Sequence, residues 1–161
     1  MSLVQDIVAT YRGPGRVLGR LLAAPVHEGR ALAILMGGCA VLFVSRWPAL
    51  ARQAHLEGAD LQMLMGAALL GLVFILPLMF YLIAFLAHGV ARLVGGQGSA
   101  YGARLALFWA FLASAPVLLL YGLVAGFIGA GAALSAVGIL WVIVFSWFWI
   151  AGMMRAGWGQ K

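Results

Sequence analysis

The chain has 161 residues, of which 65% are hydrophobic and only 9% charged, with a formal net charge of +6 and a mean hydropathy of +1.08; soluble domains run at roughly 45–50% apolar and 25% charged. Such a balance excludes a soluble enzyme or a nucleic-acid binder and defines a small integral membrane protein, whose basic residues meet anionic headgroups. The single cysteine, Cys39, excludes an internal disulfide and a multi-cysteine metal cluster.

Residues 1–24 form a leader. Ser2-Leu-Val-Gln5 fits a capping box, and Leu3, Val4, Ile7, Val8 and Tyr11 share one helical face. Gly13-Pro14-Gly15 interrupts this helix, and the next piece sets Arg12, Arg16 and Arg20 at i, i+4 spacing opposite Val17, Leu18, Leu21 and Leu22. That pattern predicts an amphipathic helix lying in the interface, with the three arginines in contact with headgroups. No cleavable signal peptide is expected, because the first apolar run starts only at Ala31, after four arginines. Met36-Gly-Gly-Cys39 resembles a lipobox only loosely, since the cysteine stands in the middle of that run.

Four spans are predicted, at about 31–48, 61–87, 105–128 and 134–154. The first is short: fifteen apolar residues separate Arg30 from Arg46, roughly 22 Å of helix, and Trp47-Pro48 reads as its stop. Arg52 to Asp60 then reads as an external loop. The second, from Leu61, is too long to stand straight and contains Pro77, which predicts a tilt, a kink at the proline or a protrusion. His88 to Arg104 reads as an internal loop. The last two spans lie within Leu105–Met154, fifty residues without Asp, Glu, Lys or Arg, joined by the small-residue run Gly129–Ala133; this is a transmembrane hairpin, since lipid admits only helices or closed barrels and no barrel alternation is present. With four spans and both ends inside, Arg12, Arg16, Arg20, Arg30, Arg92, Arg104, Arg155 and Lys161 are internal, against Arg46 and Arg52 outside. The positive-inside bias therefore places both termini in the cytoplasm. Arginine, alanine and glycine usage is that of a GC-rich bacterial genome, which predicts the bacterial inner membrane.

Ala106, Ala110, Ser114, Gly122, Gly126 and Ala130 recur at four-residue spacing, with Leu118 as the one large member, and are predicted to pack closely within the bundle. Pro77 and Pro116 sit mid-span, each followed by a tyrosine. Paired broken helices can mark a transport site, but the last three spans hold no ionisable residue, and kinks filled by neighbouring side chains are the favoured reading. Trp141, Phe145 and Trp149 form an i, i+4 stripe predicted to touch lipid or a partner. His27, His55 and His88 fall near span ends, where they cannot clamp a haem, and His55 with Glu57 and Asp60 reads as a solvated loop rather than a metal site. No catalytic motif is present, and no cofactor is expected.

Asp6-Ile-Val-Ala-Thr-Tyr-Arg-Gly-Pro14, Arg16-Val-Leu-Gly-Arg-Leu-Leu22 and Gly29-Arg-Ala-Leu32, leading into a compact bundle containing Gly and Pro, resemble the small bacterial members of the Yip (Ypt-interacting protein) domain family. The resemblance implies a multi-spanning membrane protein without catalysis, of a kind tied in eukaryotes to small GTPases and vesicle traffic. Family members typically show about five spans where four are drawn here. The expected function is that of a scaffold or accessory subunit whose partners are lipids, other membrane proteins or further copies of itself, with no nucleic acid. A small transporter or channel and a membrane-shaping protein of Yip type are the alternatives.

Overall fold

The computed structural model describes residues 2–158; Lys161, counted above among the internal charges, lies outside them. The described residues are helical and contain no strand. In chain order the helices are α1 (Leu3–Arg12), α2 (Pro14–Ala23), α3 (Glu28–Glu57), α4 (Leu61–Leu70), α5 (Leu76–Leu93), α6 (Ala100–Ala113), α7 (Ala115–Phe127) and α8 (Ala132–Trp158). A π-helical turn, Gly71–Ile75, makes α4 and α5 one continuous helix. Three helices are long and apolar enough to cross a membrane, and a fourth is present if α6 and α7, bent by 45° at Ser114, form one span.

The core is α6. Every residue from Leu105 to Ala113 is buried, because α3, α5, α8 and the α1–α2 pair all pack against it. Its sequence explains the position: past Arg104 it carries apolar side chains all round, and such a helix is stable only when enclosed. Phe80 and Tyr81 of α5 meet Phe108 edge-on, at ring-centroid distances of 6.5 and 5.0 Å, and Phe80 lies against Phe111 at 4.6 Å.

Four expectations need correction. First, the leader packs on the bundle through a side other than its predicted aliphatic face. Its capping box forms, with the Ser2 hydroxyl accepting from the Gln5 amide at 3.3 Å and the Gln5 side chain accepting from the Ser2 amide at 3.1 Å. The chain then turns back at Gly13, and Asp6 pairs with Arg20 across an antiparallel α1–α2 hairpin. Thr10 and Leu18 are enclosed by the bundle, while Leu3, Val4 and Val8 stay exposed. The buried side of α1 thus runs through Ile7, Thr10 and Tyr11, because hydrogen-bonding partners for the last two lie on α6.

Second, Pro48 does not end the first span. Helix α3 continues to Glu57 and stops at Gly58, whose φ of 65° is the left-handed C-terminal geometry that glycine adopts at little cost; only Gly58–Asp60 remains of the predicted loop. Packing explains the continuation. Gly122 and Gly126 of α7 abut the backbone of α3 at Ser45 and Pro48, so closely that an added Cβ at either would overlap α3. Tertiary contact on both sides of the proline compensates for its one missing hydrogen bond. Third, Pro77 produces no sharp kink, because the π turn before it absorbs the lost amide: the Leu76 N–H reaches back to Gly71 O. Helix α5 then runs on to Leu93, which shortens the predicted internal loop.

Fourth, the small residues of the third span do not share one face. The break at Ser114 divides them. Ala106 meets α8 at Gly152 and Ser114 meets Trp141, whereas Gly122 and Gly126 meet α3. Ala110 is buried within α6. Ala130 belongs to no helix and is exposed in the turn before α8, so it takes no part in helix packing.

Gly126→Leu is expected to lower the unfolding free energy in detergent by upward of roughly 2 kcal/mol, the scale of overpacking. Leu123→Ala, on the exposed side of α7, should change it by no more than about 0.5 kcal/mol. Chemical denaturation followed by circular dichroism distinguishes the two, and equal tolerance would remove the α3–α7 backbone contact.

Candidate functional site

The polar groups inside the bundle gather at the α6–α7 break. Pro116 supplies no amide, and the bend leaves backbone carbonyls of the last turn of α6 without helical partners. In apolar surroundings each unmet carbonyl costs roughly 1–3 kcal/mol by mutational scales unless another donor arrives. Two side chains supply donors to them, Ser114 and Tyr11. The Ser114 hydroxyl donates to Phe111 O at 2.8 Å and accepts from Trp141 Nε1 at 3.0 Å. Tyr11, from the leader, donates its hydroxyl to Ala113 O at 2.8 Å. Burial pushes the Tyr11 phenol above its usual range, so it remains a neutral donor. Beside it the Thr10 hydroxyl donates to Asp6 O at 2.7 Å and accepts from Trp109 Nε1 at 3.0 Å. The Tyr11 ring meets Phe148 edge-on at 4.9 Å.

Cations close the two ends of the bundle. Arg30 donates to Leu21 O at 3.2 Å and Pro25 O at 3.3 Å, and to the Tyr101 hydroxyl at 3.0 Å, tying the end of α2 to α3 and α6. Arg104 pairs with Glu28 at the same end. At the opposite end Arg52 donates to Gly126 O and Phe127 O, each at 3.4 Å. A cation on the last carbonyls of α7 also complements that helix's dipole.

Among the clefts that open on the surface of the described residues, three bear on the predicted residues. One, of about 490 Å³, lies between α1 and α2 and is lined by Arg12, Arg16 and Arg20 with Gln5 and Val8. The predicted headgroup arginines are therefore brought together, with Arg20 engaged by Asp6. A second, of about 510 Å³, separates α5 from α8 near the leader end and is walled by Leu86, Val90, Trp149, Ile150 and Met153. The third and largest, of about 660 Å³, lies at the opposite end among α3, α5, α7 and α8, and Arg46 stands in its wall.

The aromatic stripe is brought together as well. Trp141 stacks on Phe145 at 5.1 Å, and Phe145 on Trp149 at 5.8 Å. All three are half-buried and pack against the core. Trp141 points its indole N–H inward to Ser114, while its ring lines the largest cleft; Trp149 lines the second. Among the described residues no group of three or more His, Cys, Asp or Glu is placed to hold a metal.

Sequence reasoning missed Thr10, Tyr11, Arg46 and Arg52. The signal available for the first two was Ser114-Ala-Pro116, a helix break in an uncharged stretch that must find donors elsewhere. For the arginines it was the continuation of helix-forming residues past Pro48. No family model matches the chain, and neither a curated protein nor a solved structure does so.

Tyr11→Phe and Trp141→Phe are each expected to lower stability in detergent by about 1 kcal/mol, the net worth of a hydrogen bond. Ser114→Ala should cost more than Trp141→Phe, because it leaves both the Trp141 N–H and Phe111 O without partners. Thermal unfolding of the three variants measures the order, and an undisturbed Tyr11→Phe would detach the leader from the break.

Proposed function

We propose that the chain is a non-catalytic scaffold or accessory subunit of a bacterial inner membrane, spanning it four times with both termini in the cytoplasm. Contacts support counting α6 and α7 as one bent span. Helix α3 runs beside both, with Arg30 at Tyr101 near one end and Arg52 at Phe127 near the other. The end that gathers Arg20, Arg30, Arg104 and Arg155 is the cytoplasmic one on the positive-inside bias. Exposed Arg12 and Arg16 of the leader then meet headgroups of that leaflet. The resemblance to small bacterial Yip proteins points to the same class.

One observation carries the scaffold reading. The α4–α5 helix touches the bundle through few residues, burying Pro77, Phe80 and Ala84, and leaves a ridge of Leu70, Phe74, Leu78, Leu82 and Leu86 facing outward, with a groove against α8 beside it. Thr10, Tyr11, Ser114 and Trp141 are engaged around the break, whereas this ridge and groove present the side-chain relief into which a neighbouring transmembrane helix packs.

Two experiments test the reading. Reporter fusions at Glu57 and Gly131 should read external and a fusion at Gln97 cytoplasmic; a cytoplasmic Glu57 defeats the topology. In a Cys39→Ser background, Leu86→Cys and Ile150→Cys should form adducts of defined mass with a membrane protein in native membranes, at least about fivefold above Leu120→Cys on the exposed side of α7. Equal yields at all three positions would show random collision and end the scaffold reading.

A further inference from the structure

The cleft at the external end carries more than its shape. Its volume of about 660 Å³ lies within the roughly 300–1,000 Å³ typical of small-molecule sites. Leu42, Leu76, Phe80, Leu118, Ile139 and Trp141 make its walls apolar, and Arg46 is the one charged residue among those that line it. The Ser45 hydroxyl is engaged by its own helix, donating to Leu42 O at 2.7 Å. Tyr121 and Ser135 add hydroxyl groups to the lining.

Arg46 is an unengaged cation in the cleft wall. Arg20, Arg30, Arg52 and Arg104 are all engaged by carboxylates, carbonyls or a hydroxyl, whereas Arg46 makes no hydrogen bond or ion pair with any described residue. It precedes Arg52 by six positions on a continuous helix, roughly 9 Å along the axis. Arg52 lies at the end of α7, so Arg46 stands more than a turn below that end, beside stretches of α7 and α8 that hold no charge. The acids nearest in sequence are engaged elsewhere: Glu57 accepts from Gln53 at 3.2 Å, and Asp60 caps α4 by accepting from Gln62 at 3.0 Å. Arg46 is exposed beside these uncharged stretches, so its guanidinium is open to an anion from outside the fold.

We propose that this cleft binds an acyl-chain lipid with an anionic phosphate head, its chain lying against Phe80, Ile139 and Trp141 and its phosphate on the Arg46 guanidinium. Charge complementarity selects this occupant over a neighbouring helix: the fork of guanidinium donors matches phosphate oxygens in a paired geometry, and the lining beside it is apolar. The site belongs to the external leaflet, and its occupant enters sideways from the bilayer. The proposal rests on the bundle's lying in a bilayer and is independent of what the α5–α8 groove receives.

Fluorescence quenching tests it. The full chain in an uncharged detergent is titrated with phosphatidylglycerol carrying brominated chains and, separately, with phosphatidylcholine carrying the same chains; the Trp141 contribution is the difference from Trp141→Phe. Phosphatidylglycerol is expected to quench Trp141 at a mole fraction about tenfold lower than phosphatidylcholine, the scale of one charge-assisted pair. Arg46→Gln should bring the two lipids together, and Arg46→Lys should keep part of the difference. Because Arg46 makes no bond within the fold, both variants should elute as the parent does. Ala125→Leu, which narrows the cleft and leaves Arg46 in place, should weaken quenching by both lipids. Equal quenching by the two lipids in the parent chain, a preference that survives Arg46→Gln, or displacement of the brominated lipid by inorganic phosphate alone would each overturn the proposal.

Discussion

A helix that bends in apolar surroundings exposes backbone carbonyls that water cannot reach, and this single constraint organises the bundle. The bend at Ser114 lets α7 swing against α3 while α6 stays in the centre. The carbonyl at Ala113 is then met by Tyr11, that at Phe111 by Ser114, and the hydroxyl of Ser114 by Trp141. Three separate elements, the leader, the break and α8, are thereby fixed relative to one another by five side chains, once Thr10 and its bond to Trp109 are included. Remove the break and the leader loses its bond to the Ala113 carbonyl, keeping only that of Thr10 to Trp109.

The second determinant is backbone approach. Gly122 and Gly126 draw α7 onto α3 at Ser45 and Pro48, so that Arg52 reaches the end of α7 while Arg46 falls below it. A comparable notch at Gly152 receives Leu18, where an added Cβ would lie 2.9 Å from the Leu18 Cδ2, and Gly19 lies under the Arg155 guanidinium in the same way. Glycine here works by absence of a side chain rather than by backbone freedom, since these four positions are helical. Close packing of this kind substitutes for the hydrophobic drive that lipid-facing helices lack.

The apolar runs, the capping box at Ser2 and the close-packing role of Gly122 and Gly126 were legible in the sequence, because each depends on neighbours within a turn or two or on apolarity over some twenty residues. Element ends were less so. Pro48 reads as a stop on local rules, and only contact with a helix more than seventy residues away keeps α3 going. The inward side of the leader was not legible for a related reason: the partners available on α6 are an indole N–H and an orphaned carbonyl, which draw in Thr10 and Tyr11 and leave Leu3, Val4 and Val8 outward. Arg46 was taken for a span boundary on charge alone. Its place in the wall of a cleft is visible only once α3, α7 and α8 are packed together.

The leader's attachment also carries a consequence for biosynthesis. Tyr11 and Ala113 are 102 residues apart in the chain, and Thr10 and Trp109 are 99 apart. At about 5–20 residues per second, the ribosome needs roughly 5–20 s after making the leader before its receptor surface on α6 exists, and longer before α8 completes it. During that interval the α1–α2 hairpin can hold to α3 through Arg30 at Leu21 O and Pro25 O, but not to α6. Docking of the leader onto α6 is then a late event of assembly, and the uncovered Ala113 carbonyl persists until it happens.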